Sequence, residues 1–266
     1  MWKRAMLKEK AKAVLRVSYW KAFLVSLILI FAFVLVIGGM IGNFLTGIWN
    51  SRDKGFNNPG NFNSFNQQMF LDILPHIMFA VGIIVLVLIL VLAIRIFLGY
   101  HLEIGGKKFF INATLGNVDL NYLTYGLDRA RYYGIIRAMI RRDVQLFFWS
   151  LLLIIPAIVK SYSYMMVPYI LTDNPNIGSK RAIEISNETT YGEKWKLFVL
   201  DLSFIGWRIL GVLALFVGTF FVEPYVLATK AELYLALRQK AVHMGLSNYG
   251  ELLLEMPDKD NGDGQD

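Results

Sequence analysis

Residues 197–221 read LFVLDLSFIGWRILGVLALFVGTFF and run into Glu223-Pro224-Tyr225. A helix of about twenty-five mostly apolar residues is long enough to cross a hydrocarbon core of about 30 Å. Asp201 and Arg208 interrupt it. They are two helical turns apart, so both side chains leave one face. A charge facing lipid costs at least about 2.5 kcal/mol, so that face is expected to meet protein, water or a headgroup. The stretch predicts an all-α, polytopic membrane protein in which other apolar helices shelter this one.

Composition agrees. The chain has 266 residues, of which 56% are hydrophobic, and a mean hydropathy of +0.47. The apolar residues come in long blocks, unlike those of an ordinary soluble domain. The net charge is +7. Beside apolar spans, that excess points to anionic lipid headgroups at the cytoplasmic face rather than to nucleic acid. Cysteine is absent, which excludes disulfides, thiolate catalysis and cysteine-ligated metals.

Four spans are predicted, near 22–45, 77–98, 144–171 and 197–222. No linker divides them, so 22–241 reads as one helical membrane domain. It lies between a basic segment, 1–21, and a polar tail, 242–266, expected to be disordered from 257. The basic segment carries seven Lys and Arg against Glu9. It reads as a positive flank of the first span or as an amphipathic helix on the inner surface, and it places the N-terminus in the cytoplasm. The apolar run after it is too long for a cleaved leader and predicts an anchor. Asn50 to His76, rich in Asn, Gly and Phe, reads as an outer loop with Phe56, Phe62, Phe65 and Phe70 at the interface.

Gly99 to Asp143 reads as a large inner loop with a turn at Gly105-Gly106. Within it, Asp128 to Arg142 has helical periodicity, with Ile135, Ile136, Met139 and Ile140 on one side and arginines on the other. That pattern predicts a surface helix lying against anionic lipid. The block 144–171 is long for one crossing and short for two. Pro156 and Pro168 predict kinks or breaks, and Lys160 stands in its middle. A single kinked crossing is expected, with a re-entrant hairpin as the alternative. Ser179 or Asn176 is expected to cap a short helix through Glu188. Pro224 suits a first helical position, with a helix continuing from Tyr225 to Lys240.

No cofactor or metal motif stands out. His76, His101 and His243 lie too far apart in sequence to suggest a zinc site, and no GxSxG elbow surrounds Ser203 or Ser150. The chain is therefore not expected to be an enzyme. The candidate positions are the polar or helix-breaking residues of the spans and their ends: Asp201, Ser203, Trp207, Arg208, Glu223, Pro224, Tyr225, Tyr234, Pro156 and Lys160. A non-catalytic accessory or scaffold protein is the first reading. A small-molecule or lipid transporter using Asp201 and Arg208 is the second. Against the second stands the simpler view that the two charges satisfy each other or snorkel to opposite interfaces.

The motifs LEIGGKKFF, FFWSLLLIIPAIVKSYSY, ILTDNPNIGSKRAIEISNETTYGEKWKLF, LDLSFIGW and EPYVLATKAELY occur in this order. In that order they resemble the bacterial integral membrane family called domain of unknown function 975, from the basic segment to about Leu237. LSFIGW and the EPY…A…LY ending are its most specific pieces. The resemblance implies that Trp195 to Trp207 and Pro224 to Tyr234 hold the signature residues. It further implies a bacterial membrane protein with an uncharacterised activity; the topology places it in the plasma membrane, and the scaffold reading adds an unknown membrane protein partner. It carries no catalytic residue.

Overall fold

The computed structural model describes residues 2–55, 67–213 and 217–254. It is all helical, with no strand among those residues. The single domain expected over 22–241 is drawn as two compact units. One is Met1–Leu29 with Tyr100–Asp266, and the other is Ile30–Gly99.

The second unit holds the later part of α1 (Arg4–Gly55), then α2 (Gln67–Ile94) and a π turn, Arg95–Gly99. From Met78 onward α2 is apolar on all sides and most of its side chains are exposed. A helix apolar all round belongs in a core or in a bilayer. The expected loop 50–76 is much shorter than predicted, because Asn50–Gly55 continue α1 and Gln67–His76 begin α2. Extending an existing helix gains one hydrogen bond per residue fixed and avoids the nucleation cost, so polar composition alone does not end it. Phe56, Phe62 and Phe65 lie outside the described residues, as does the tail from 257.

In the first unit, the start of α1 buries one stripe: Leu7, Ala11, Leu15, Ala22 and Val25. This three-and-four spacing keeps one helix face against the protein. The helix bends at Ser18 (φ −122°, ψ 16°), whose hydroxyl donates to the Val14 carbonyl at 2.8 Å. Such back-bonding competes with the helical ladder.

The expected inner loop is mostly helix. It holds α3 (Tyr100–Thr114), a 3-10 segment Leu120–Leu127 and the first part of α4 (Arg129–Leu152). Gly105 and Gly106 are not a turn but lie inside α3. A Cβ on Gly105 would collide with the Leu123 backbone, 2.7 Å from its carbonyl carbon, and one on Gly106 would press on Leu29 at 2.6 Å. The glycines are there for close approach, not for a left-handed conformation. Asp128 caps α4 by accepting from the Ala130 amide, and Ile135 and Met139 are fully buried. Arg142 departs from the expected lipid-facing side. It is buried, 2.8 Å from Asp143 and 3.6 Å from Glu103.

Next come α5 (Ile154–Ser163), α6 (Val167–Asp173), α7 (Ser179–Thr189), α8 (Lys194–Leu213) and α9 (Val217–His243). All seven residues of α6 are buried, against α3, α4 and α7. The cap of α7 is Gly178 rather than Ser179 or Asn176. The Ser179 hydroxyl instead accepts from Arg141 at 3.3 Å, and Asn176 donates to the Ala130 carbonyl.

Two chain reversals replace the expected single crossings. The first is at Leu153, whose extended backbone (φ −161°, ψ 148°) separates α4 from α5. Pro156 stands in the first turn of α5, where its ring would clash with the Leu152 carbonyl of a continuous helix. Helix α5 leans back on α4, bringing the Lys160 ammonium 5.1 Å from the Trp149 ring. Arg141 at one end and Ser163 at the other both reach α7. A straight helix would hold those two residues about 33 Å apart. The second reversal is between α8 and α9. A Cβ on Gly211 would sit 2.7 Å from the Thr219 amide, so α8 and the first part of α9 fold back on each other rather than continue as one straight helix. Pro224 lies inside α9 rather than at its start.

By length and composition, two helical stretches among the described residues are apolar enough to cross a membrane, Met78–Thr114 and Ile154–Asp173.

Candidate functional site

The α8–α9 hairpin brings the charges of the signature stretch into two ion pairs. The Lys230 ammonium lies 3.1 Å from Asp201, and the Arg208 guanidinium 3.5 Å from Glu223. Their residue numbers have the same sum, so the pairs belong to one antiparallel register. Along the hairpin they are about 10 Å apart. Asp201 and Arg208 do share a face, as their spacing predicts, but that face meets α9. They neither satisfy each other nor snorkel apart.

Asp201 has a second neighbour. The Tyr162 side chain of α5 lies near its carboxylate, and the Tyr162 ring meets Phe198 edge-on at 6.2 Å. Asp201 therefore stands where the two hairpins meet. Between the ion pairs, Phe204 is buried and meets Tyr225 edge-on at 5.5 Å. The Lys8 ammonium of α1 sits 4.3 Å from the Phe204 ring, a cation–π distance. The hairpin thus has an apolar floor, alternating charges and a lysine lid.

The other candidates take structural places. Ser203 donates to the Leu200 carbonyl at 2.5 Å, within its own helix. Trp207 is exposed and Pro224 is buried. The Thr229 hydroxyl donates to the Tyr225 carbonyl at 2.8 Å, one turn back. Lys160 rests between the Trp149 and Tyr164 rings.

Tyr234 belongs to a separate buried knot. Its hydroxyl donates to Asp173 at 2.6 Å, and Arg238 approaches the same oxygen at 3.1 Å. The Tyr169 ring stacks on Tyr234 at 5.3 Å. No motif in the sequence marks Asp173, whose carboxylate is buried at the end of α6. The signal that points to it is faint: Tyr234 and Arg238, one turn apart, offer two donors on one helix face.

These arrangements hold helices together and neutralise charge. Among the described residues no group of three or more His, Asp or Glu is placed to hold a metal ion.

No curated protein and no solved structure matches the chain. A family model matches residues 61–241. The match takes in both ion pairs, the Tyr234 knot and the two chain reversals, and it leaves out the basic N-terminal segment to which the resemblance was extended. The chain belongs to the family described as a protein of unknown function, DUF975.

Proposed function

We propose that the protein is a non-catalytic membrane-embedded accessory or scaffold protein of a bacterial plasma membrane, with its N-terminus in the cytoplasm. Its two hairpins dip into the bilayer from the helical body and return to the same side. Three exposed apolar surfaces support bilayer residence: α2, the α4–α5 tip and the outer face of α8. At the α4–α5 tip, Leu151 to Ile155 are 67–76% exposed, five consecutive large apolar side chains. In water such a patch is an aggregation hazard; in hydrocarbon it is the ordinary state.

One observation carries the preference for a scaffold over a transporter. Asp201 and Arg208, the two charges within 197–213, each have an opposite charge on α9 in the same register. A carboxylate already held by a lysine is a structural joint, whereas a substrate path keeps its ionisable groups for the substrate. The test is charge exchange. Asp201→Lys combined with Lys230→Asp keeps the joint and reverses the charges. A scaffold tolerates the exchange, with a normal yield of folded protein and the same crosslinked partner in cells. A transporter loses flux in reconstituted vesicles although the exchanged protein folds. Flux in the wild type that vanishes in the folded exchange variant would decide for transport.

A further inference from the structure

A cleft of about 660 Å³ opens between residues 2–5, which lead into α1, and the first two turns of α8. It is lined by Lys3, Arg4 and Lys196, by the indoles of Trp2 and Trp195, and by Val199. No carboxylate lines it. Lys3 and Arg4 have no ion-pair partner among the described residues. Lys196 is held 2.8 Å from Glu193, which also takes Lys240 at 3.1 Å. Two helices begin at the cleft, and neither has an acid in its first turn. Their first amides are free of helical partners, and the helix dipoles add positive potential. A second observation is independent of these. Trp2 retains only 9% of its exposure, and its Nε1–H is a buried donor without an acceptor. Native proteins leave few such groups unmatched.

The surface below the cleft is apolar. Trp195, Val199, Leu202, Gly206, Ile209 and Leu213 follow one another at helical spacing down one face of α8. Leu202, Ile209 and Leu213 on that stripe are 49%, 54% and 74% exposed. The stripe is about 27 Å long at 1.5 Å per residue. A cationic head site above an apolar stripe has the polarity of a phospholipid.

We infer that this cleft seats the headgroup of one phospholipid of net negative charge, with an acyl chain lying along the α8 stripe. The inference rests on the membrane reading above and deepens it, because it names one bound lipid rather than a general attraction to the bilayer. Lys3, Arg4 and the helix amides neutralise the phosphate, charge-assisted bonds being the strong ones. The indoles of Trp2 and Trp195 sit at the depth where such rings gather.

Native mass spectrometry of the full chain in detergent tests this, with dioleoyl phosphatidylglycerol and dioleoyl phosphatidylcholine as probes. The wild type is expected to retain one phosphatidylglycerol, at about tenfold lower lipid concentration than phosphatidylcholine. The Lys3→Gln/Arg4→Gln/Lys196→Gln variant loses that preference. A control variant, Arg129→Gln/Arg137→Gln/Lys180→Gln, removes the same charge elsewhere and keeps it. Equal preference in wild type and cleft variant overturns the inference, and so does equal loss in the control. Displacement of the lipid by millimolar inorganic phosphate overturns the lipid as occupant, since the stripe then adds nothing. Should the cleft variant aggregate, Arg4→Gln alone decides, because that side chain is exposed: a reduced preference supports the site and an unchanged one overturns it. Alkaline carbonate extraction separates the two levels. Protein washed off membranes sinks the membrane reading, whereas protein retained with an insensitive cleft sinks only this site.

Discussion

Asp201 and Lys230 face each other across the α8–α9 hairpin at 3.1 Å, and Arg208 and Glu223 repeat the relationship with the signs exchanged. The hairpin therefore carries its own charge-coded register. A one-residue slip would turn both pairs out of line, and a flip of one helix would set like charges together. In water, half-exposed pairs of this kind contribute little. Against hydrocarbon, a lone charge costs about 2.5–3.5 kcal/mol, so loss of either partner is felt in full.

The first prediction concerns that joint. Asp201→Ala and Lys230→Ala should each lower stability, and the double variant should cost less than the sum of the two. A double-mutant cycle in detergent, read by thermal unfolding, should give a coupling of about 1–2 kcal/mol. Additive losses would mean that the two groups do not interact.

The glycines of α3 give a second. Gly105→Ala forces a Cβ onto the Leu123 backbone, which cannot step aside as a flexible side chain does. The loss should be about 1–3 kcal/mol. Gly206→Ala on α8, where a Cβ meets nothing within 4 Å, should be neutral or stabilise by up to about 1 kcal/mol. Thermal melts of the two variants should move in different directions.

The C-terminal segment 244–254 gives a third, in pH. Arg181 donates to both oxygens of Glu251, at 2.6 and 3.2 Å, and to the Leu246 carbonyl at 2.7 Å. Leu252 is buried beneath this strap. The hydrogen bond from Arg181 holds the Glu251 carboxyl below its usual range. Glu251 in the unfolded chain titrates at about 4.3. Its contribution is therefore fully present above that value and is lost as pH falls through the lower folded value. Hydrogen exchange over 244–254 should be slow at neutral pH and speed up as the carboxyl protonates. Glu251→Gln should show the fast behaviour already at neutral pH. Exchange that is indifferent to both changes would show that the strap is held by Leu252 alone.

How much of this was legible in the sequence differs from element to element. Ile135 and Met139 on one side of the run from Asp128 announced the first part of α4, because periodicity is local; the capping role of Asp128 was not read from it. The common face of Asp201 and Arg208 was legible for the same reason. Their partners were not. Glu223 and Lys230 come 15 and 29 residues later, and only the fold brings them close. The reversal between α8 and α9 hid because LALFVGTF contains no proline, asparagine or charge. A hydropathy window cannot tell a through-crossing from two shorter helices that meet at their tips. At 144–171 the prolines did mark the break, but a proline states where a helix fails and not which way the chain then turns. Gly105-Gly106 misled because glycine serves both turns and close packing, and the neighbours that decide between them, Leu123 and Leu29, are distant in sequence.

A fourth prediction follows from the apolar α4–α5 tip. Leu153→Asp places a carboxylate where five consecutive apolar side chains are exposed. If that tip lies in hydrocarbon, the variant should lower the membrane-inserted yield markedly, as a lone charge there costs about 2.5–3.5 kcal/mol. A normal yield would place the tip in water.

The most direct test of the central account, two hairpins that enter the bilayer and return to the side of the N-terminus, uses the chain's lack of cysteine. Lys180→Cys and Tyr191→Cys lie on exposed positions of the body between the hairpins. In intact cells a membrane-impermeant maleimide should leave both unlabelled, and permeabilisation should make both react. Labelling of either site in intact cells would put that segment outside, restore a through-crossing at 144–171 and contradict the account.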